Sequence, residues 1–330
     1  MRFAVDTGGT FTDLLVEEDD GVLHMYKTPT TPGDPVAGVL AAFDLAAADR
    51  GIESRALLER GELFIHGTTI ATNAVLTGRT ARTAFLTTRG HPEILVFREA
   101  GRMGLPMFDY GVSYPEPYVP RALTFEVPER IGADGRVLER LDEAALLALV
   151  PVLVARGVQA VGVCLLWSIA NPAHERRIGE LLAEHLPGVA VSLSHAVNPS
   201  IREYRRASAT CIDASLKPLV GPYLESMAAR LRGAGFAGDV LVVTSQGGVM
   251  DARDIARAPI HAVKSGPAMA PVAGRAYAVA EGGGDTAIVA DTGGTSYDVS
   301  LVRRGRIPWT RETWLGPPYR GHMTGFPSVD

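Results

Sequence analysis

Asp6-Thr7-Gly8-Gly9-Thr10-Phe11-Thr12-Asp13 returns late in the sequence as Asp291-Thr292-Gly293-Gly294-Thr295-Ser296-Tyr297-Asp298, identical at six of eight positions. Each copy stands between a short apolar run (Arg2-Phe3-Ala4-Val5; Ala287-Ile288-Val289-Ala290) and an alternating one (Phe11 to Val16; Tyr297 to Val302), the pattern of two strands joined by a tight turn. Glycine accepts the positive φ of such a turn and leaves backbone N–H groups unshielded by a Cβ, so Gly8, Gly9, Gly293 and Gly294 present amides suited to phosphate. The carboxylates of Asp6 and Asp291 would repel phosphate, which makes them candidates to hold magnesium or orient water between. Thr10 and Thr295 add a hydroxyl at the same point of each turn. Two copies make sense together if both loops address one polyphosphate, and Asp6 and Asp291 are expected to face each other across an interdomain cleft.

Working outward, strand and helix patterns alternate along the whole chain. Pro35 to Asp49 reads as an amphipathic helix opened by proline, and Glu62 to His66 as a strand ending in His66-Gly67-Thr68-Thr69. A strand follows over Arg82 to Thr87, then an irregular arm around Phe97 to Pro120. Next come a helix over Glu143 to Arg156, a strand over Ala160 to Leu166 and a helix over Ala173 to Glu184. Arg202 to Arg232 is helical and Val240 to Thr244 is a strand. The class is α/β with mixed sheets, because the hairpins are antiparallel. The segment Pro187 to Ser200 reads as the boundary between a domain over 1–190 with the first hairpin and one beginning at 191 with the second.

Composition excludes several classes. The sequence has 330 residues, enough for roughly two domains, and its net charge of -5 argues against a nucleic-acid or anionic-membrane surface. Cys164 and Cys211 stand far apart without Cys-x-x-Cys spacing, and both read as core. With no signal segment and no run long enough to span a bilayer, a cytoplasmic setting is expected. No Gly-x-x-x-x-Gly-Lys-Ser/Thr is present, which removes the P-loop NTPases. Gly233-Ala234-Gly235-Phe236-Ala237-Gly238 follows a helix and precedes a strand, the reverse of the dinucleotide-binding order, and reads as a helix stop.

Three further stretches carry candidate chemistry. The loop from His66 to Asn73 gathers one imidazole, hydroxyls and free amides, with a helix N-terminus near Ile70 aimed at it, although ordinary capping by Thr68 or Thr69 explains it too. Ser245-Gln246-Gly247-Gly248 and Ser265-Gly266-Pro267-Ala268 flank strands, and their small residues would let backbone approach a ligand; plain turn chemistry is the alternative. Lys264 could neutralise phosphate. In the arm, Arg98 and Arg102 could grip a carboxylate or phosphate while Met103, Met107, Phe108 and Tyr110 line an apolar pocket, or the arm is a surface loop. His174 and Glu175, where a helix begins, suit capping as well as catalysis.

The paired hairpins resemble the phosphate motifs of the ribonuclease H-like ATPase fold shared by actin, sugar kinases and heat-shock chaperones. More narrowly, the chain resembles the ATP-dependent hydantoinase A and 5-oxoprolinase family, which includes ATP-binding subunits of acetone and acetophenone carboxylases. The stretches that match are His66 to Asn73, Val119-Pro120-Arg121, Glu129-Arg130-Ile131, Asn171 to Arg177, Ser245 to Gly248 and Ser265 to Ala268, in family order from end to end. Gln246 stands where the family usually has asparagine, and the arm departs from the Gly-Arg-Gln-x-Arg-Pro-like pattern of lactam-cleaving relatives.

The resemblance implies a duplicated actin-like fold, incomplete at the C-terminus, with ATP and Mg2+ as cofactors. It implies an enzyme that phosphorylates a carbonyl oxygen, activating a cyclic amide for hydrolysis; a ketone carboxylase subunit and a small-molecule kinase are the alternatives, and a nucleotide-driven conformational machine is a third class. Asp6, Asp291, His66 and Thr68 become catalytic candidates, with Asp6 and Asp291 toward the metal. Gly8, Gly9, Thr10, Gly293, Gly294, Thr295, Ser265 and Gly266 become nucleotide-binding candidates, and Arg98, Arg102, Thr69 and Asn73 substrate-binding ones. A small carbonyl substrate and a hydantoinase B-type subunit or domain are the expected partners, and homo-oligomerisation is left open.

Overall fold

The computed structural model describes residues 1–31, 33–99, 111, 115–292, 297–317 and 319–329. The chain forms two compact units, each discontinuous in sequence. The first comprises Met1–Asn73, Val220–Thr310 and Ser328–Asp330; the second comprises Ala74–Leu219 and Arg311–Pro327.

A six-stranded mixed sheet organises the first unit. Across it lie Val249–Asp251, Asp239–Val243, Leu63–Thr68, Arg2–Thr7, Phe11–Glu17 and Leu23–Pro29. Arg2–Thr7 pairs antiparallel with Phe11–Glu17 and parallel with Leu63–Thr68, so one strand places the Gly-Gly turn beside the end of the His66 strand. Alternation assigns the faces. Phe3, Val5, Leu14, Val16 and Phe64 are buried, and the Phe3 ring meets Phe43 edge-on with centroids 4.9 Å apart. Phe43 comes from the helix Pro35–Asp49, which starts as its sequence dictates: proline occupies the first turn and the Asp34 carboxylate accepts the N–H of Ala37. Each such apolar side chain contributes about 1.5–3 kcal/mol on burial.

The second hairpin, Ala287–Thr292 with Tyr297–Val302, repeats the register of the first. Asp6 lies opposite Asp13, and Asp291 opposite Asp298. This two-stranded sheet rests on the helix Ser265–Ala280, where a Cβ at Gly274 would overlap Val289. Gly233 ends the helix Glu203–Gly233, Gly235 takes φ +113°, and a Cβ at Gly238 would collide with the Glu62 backbone. The Gly-x-Gly-x-x-Gly is therefore a helix stop and a close strand approach.

The second unit holds a four-stranded sheet in the order Ala190–Leu193, Ala160–Cys164, Thr83–Thr88 and Thr124–Val127. Every pairing in it is parallel, so the mixed character expected of the sheets belongs to the first unit. Among the described residues no hairpin joins its strands; the helices Glu143–Ala155 and Ala173–His185 separate Thr124–Val127, Ala160–Cys164 and Ala190–Leu193 in sequence. The segment Pro187 to Ser200, read as a boundary, is interior to this unit. Pro187-Gly188 is a turn with Gly188 at φ +89°, and Ala190–Leu193 forms the sheet's edge strand. Cys164 and Cys211 are both buried, and burial pushes the Cys164 thiol up to about 11 and Cys211 upward as well, so neither is a ready nucleophile.

Candidate functional site

In the first hairpin the Gly8 N–H closes the turn on the Phe11 carbonyl at 3.0 Å, and Gly9 and Thr10 are exposed. Asp6 keeps access to solvent, yet partial burial, then the charges of Asp13 and Asp291, hold its carboxyl above the ordinary aspartate range. Lys27 pairs with Asp13 at 2.9 Å. Asp6 and Asp291 thus belong to one compact unit, and the charge of Asp291 reaches Asp6; the interdomain arrangement expected of them is replaced by one within a unit. The second turn itself, with Gly293, Gly294 and Thr295, lies outside the described residues.

Parallel pairing puts Gly67 opposite Asp6 and Thr68 opposite Thr7. A Cβ on Gly67 would sit 3.0 Å from Asp6 Oδ1, so glycine there makes room for the carboxylate. Thr68 Oγ1 accepts the N–H of Ile70 at 3.3 Å as the helix Ile70–Leu76 begins, and Asn73 Nδ2 donates to Thr69 Oγ1 at 3.1 Å. Lys264 takes a left-handed φ of +58° to start the helix Ser265–Ala280, donating its N–H to Thr72 Oγ1 at 2.8 Å. Ser265 Oγ donates to the Thr68 carbonyl at 3.3 Å. The His66 loop and the Ser265-Gly266 helix start are therefore one assembly in the first unit, adjoining the first hairpin.

His66 is fully enclosed. Its Nε2 lies 2.9 Å from the Tyr223 hydroxyl, and burial pushes the imidazole down to about 4. At neutral pH it is uncharged. The Tyr223 hydroxyl, held above the usual phenol range chiefly by burial, also faces Thr7 and Thr68. Nothing in the sequence near Tyr223 marked it, since the contact spans 157 positions. Ser245-Gln246-Gly247-Gly248 forms the turn between Asp239–Val243 and Val249–Asp251; Gly247 takes φ +76° and Gln246 is exposed.

In the second unit Arg98 also adopts a left-handed φ, +59°. Its guanidinium lies over Trp314 at 5.7 Å and Tyr204 at 6.0 Å, and one terminal nitrogen donates to the Tyr319 carbonyl at 2.8 Å. Glu99 receives both Nε and a terminal nitrogen of Arg205. Arg102, Met103, Met107, Phe108 and Tyr110 lie outside the described residues.

The stretches containing Glu129, His174 and Glu175 form buried polar staples in the same unit. Glu129 binds His174 Nδ1 at 2.8 Å and the Thr88 hydroxyl. Glu175 accepts from Leu165 N–H, Ser194 Oγ, and both the N–H and Nδ1 of His195. Arg206, fully buried, donates to Ser194 Oγ and to the Leu165 and Ser200 carbonyls. Glu175 faces inward rather than capping its helix.

Residues 2–186 match the hydantoinase/oxoprolinase N-terminal region and residues 206–330 match hydantoinase/oxoprolinase. The chain belongs to the hydantoinase/oxoprolinase family. It is 33% identical over 314 residues to caprolactamase subunit alpha of Pseudomonas jessenii, covering 94% of this chain and 45% of that one. With the acetophenone carboxylase gamma subunit of Aromatoleum aromaticum it shares 35% identity over 309 residues, covering 90% and 42%. The crystal structure of the ATP-dependent caprolactamase from Pseudomonas jessenii superposes with a TM-score of 0.85 at 33% identity, over 100% of this chain and 47% of that one. Nucleotide-free acetone carboxylase, at 23% identity, shares the fold with a TM-score of 0.88, covering 100% and 47%. This hydantoinase/oxoprolinase-family chain thus spans about half the length of these relatives. Among the described residues no helix is long and apolar enough to cross a membrane, and no cluster of three or more His, Cys, Asp or Glu is placed to hold a metal.

Proposed function

We propose that this chain is the nucleotide-handling part of a cytoplasmic enzyme that uses ATP to phosphorylate a carbonyl oxygen, activating a cyclic amide such as a hydantoin, oxoproline or another lactam for hydrolysis. One observation carries the reading: two copies of the same acidic Gly-Gly hairpin belong to one compact unit, and the charge of Asp291 reaches Asp6. Like charges brought together in this way are stabilised by a cation between them. A pair of carboxylates suits magnesium, which takes one or two protein carboxylates and fills its remaining positions with water and phosphate oxygens. Asp6 and Asp291 would hold it. Bound there, magnesium supplies charge neutralisation between nucleotide and protein.

The chain's own groups divide the remaining work. Amides of Gly9 and Thr10, in a turn that the Gly8 N–H closes, would hold phosphate oxygens together with Gly293, Gly294 and Thr295 of the second copy. The start of the helix Ser265–Ala280, at Ser265 and Gly266, adds N–H groups of the same polarity. His66, neutral and enclosed, keeps Tyr223 and Thr68 in place rather than moving a proton. Thr69 and Asn73 are assigned to contact substrate, and Arg98 and Arg102 to hold substrate charge, on the family resemblance and their residue types. An unstrained amide resists water because its nitrogen leaves poorly and its carbon is weakly electrophilic; phosphorylation of the oxygen removes the second obstacle, and catalysis is mostly positioning and charge neutralisation. A hydantoinase B-type partner would complete the hydrolysis; the relatives' own names describe subunits. The division 1–190 and 191–330 is then one of sequence, with one phosphate hairpin in each half, and the compact units cut across it.

Similarity to the acetophenone carboxylase gamma subunit supports a second reading, activation of a ketone for carboxylation. The test is ADP release by the complete assembly against hydantoins, oxoproline, larger lactams, and aryl ketones with bicarbonate. Stimulation by a cyclic amide is expected. Stimulation by ketone and bicarbonate alone transfers the chain to the second reading, a stable phosphorylated product makes it a kinase, and turnover indifferent to every carbonyl compound removes all three.

A further inference from the structure

Both inward-turned carbonyls of the first hairpin's turn end on one residue. Thr30, which follows the strand Leu23–Pro29, donates its N–H to the Thr10 carbonyl at 2.9 Å and its hydroxyl to the Gly8 carbonyl at 2.9 Å. The Thr12 hydroxyl lies 3.1 Å from the Thr30 hydroxyl. Since the Thr30 proton is committed to Gly8, Thr12 is the donor of that contact. Thr12 is itself fully buried. Its place is set by the helix Pro35–Asp49: a Cβ on Gly38 would lie 3.1 Å from Thr12 Oγ1 and 3.5 Å from Thr30 Cα, and the Thr28 hydroxyl donates to the Gly38 carbonyl at 3.1 Å.

The arrangement answers a problem that the Gly-Gly turn creates. Two adjacent glycines leave their peptide free to rotate, and a rotated peptide offers an anion a carbonyl oxygen in place of an N–H. With the Gly8 carbonyl tied to Thr30, the Gly9 N–H of the same peptide is turned away from Thr30, and the tie on the Thr10 carbonyl fixes where the turn ends. The N–H groups of Gly9 and Thr10 have no protein acceptor among the described residues, and successive free N–H groups make an anion-binding concavity.

We infer that Thr30 is a positioning residue that locks the Gly8-Gly9 peptide with the Gly9 N–H outward and so sets the affinity of the first hairpin for a nucleotide phosphate. The functional half of this inference rests on the ATP reading above, whereas the lock is testable without nucleotide.

The test compares Thr30→Val, which keeps shape and backbone N–H but loses the hydroxyl, with Thr30→Ser, which keeps the hydroxyl. On the full protein, amide exchange at Gly8 and Thr30, thermal midpoint and Mg·ADP affinity by calorimetry are measured together. Loss of one hydrogen bond with its carbonyl left unpaired predicts about tenfold faster exchange and about tenfold weaker Mg·ADP binding for Thr30→Val, with both restored to within about twofold in Thr30→Ser. The thermal midpoint should barely differ between the two variants. Unchanged exchange in Thr30→Val overturns the lock. Faster exchange with unchanged Mg·ADP affinity overturns its role in binding, and a serine variant as weak as the valine one shows that the hydroxyl does not set the affinity and overturns it too. A parent protein that binds no Mg·ADP while Thr30→Val still loosens the turn overturns the nucleotide reading and leaves the lock standing.

Discussion

Burial, then the charges of Asp13 and Asp291, raises the pKa of Asp6, and Asp291 reaches it although 291 − 6 = 285 positions separate the two in sequence. The repulsion is a property of the protein alone, and it names its own remedy. Removing the Asp291 charge in Asp291→Asn should lower the Asp6 pKa toward the ordinary aspartate value, read by carboxyl NMR titration. In the complete assembly the same variant should lose on the order of a hundredfold in carbonyl-dependent ATP turnover. Asp291 is exposed, so the thermal midpoint should change little. An Asp6 titration identical in both proteins would separate the two hairpins.

His66 makes the first unit sensitive to mild acid. Its imidazole titrates near 4 in the folded chain and near 6.5 unfolded, so between those values the unfolded state binds more protons. Stability is therefore full above about pH 6.5 and falls as pH drops toward 4, by on the order of 3 kcal/mol for this fully buried group. His66→Gln, which keeps a polar group for the Tyr223 hydroxyl, should flatten that fall while lowering stability at neutral pH. Urea unfolding at pH 7 and pH 5 checks it. An equal loss between the two pH values in parent and variant would show that another group titrates.

How much of this was readable in the chain depends on how local the cause is. The hairpins, the Asp34-capped helix and the Gly233 helix stop follow from residues within a few positions of one another, and the structure reproduces them. Thr30 stood unmarked because its work is done on carbonyls about twenty positions away that become neighbours only when Leu23–Pro29 pairs with Phe11–Glu17. Tyr223 and His66 meet across a fold. Pro187-Gly188 gave the signal of a linker because a tight turn between helix and strand uses the same residues as one. His174 and Glu175 looked like helix-start residues, and only the strand Ala190–Leu193 and the residues after it show that Glu175 is a buried acceptor of four hydrogen bonds.

The Glu175 staple should fail in a different pH range. Burial alone would raise this carboxyl, but hydrogen bonds from His195, Ser194 and Leu165 outweigh it and hold the pKa below the ordinary glutamate value. A depressed carboxylate stabilises the fold above its unfolded pKa and loses that contribution as pH falls through the folded one. Acid loss in the second unit therefore belongs below about pH 4.3, under the range in which His66 acts. Glu175→Ala leaves Ser194 and His195 without their acceptor beside the buried Arg206 and should cost about 3–5 kcal/mol, measured by denaturant unfolding at pH 7. A loss under about 1 kcal/mol would make the staple dispensable.

Arg98 decides whether the arm is substrate machinery or scaffold. Its guanidinium lies over Trp314 and Tyr204 and reaches the Tyr319 carbonyl, while Nε makes no hydrogen bond among the described residues. An arginine kept for packing alone would have that N–H satisfied or wet, whereas one facing a carbonyl or carboxylate keeps a donor for it. Arg98→Ala should therefore raise the substrate KM of the complete assembly by about tenfold or more while leaving the KM for ATP within about twofold, the loss expected for a charge-assisted hydrogen bond. The same variant carries an internal control. Burial, then the positive charge of Arg98, pushes His322 down to about 4, so removing the guanidinium should let the His322 pKa rise, readable by imidazole NMR. Weakened ATP binding with an unchanged substrate KM would move Arg98 to the phosphate side. A raised His322 pKa with both kinetic constants intact would leave the arginine a packing residue of the second unit.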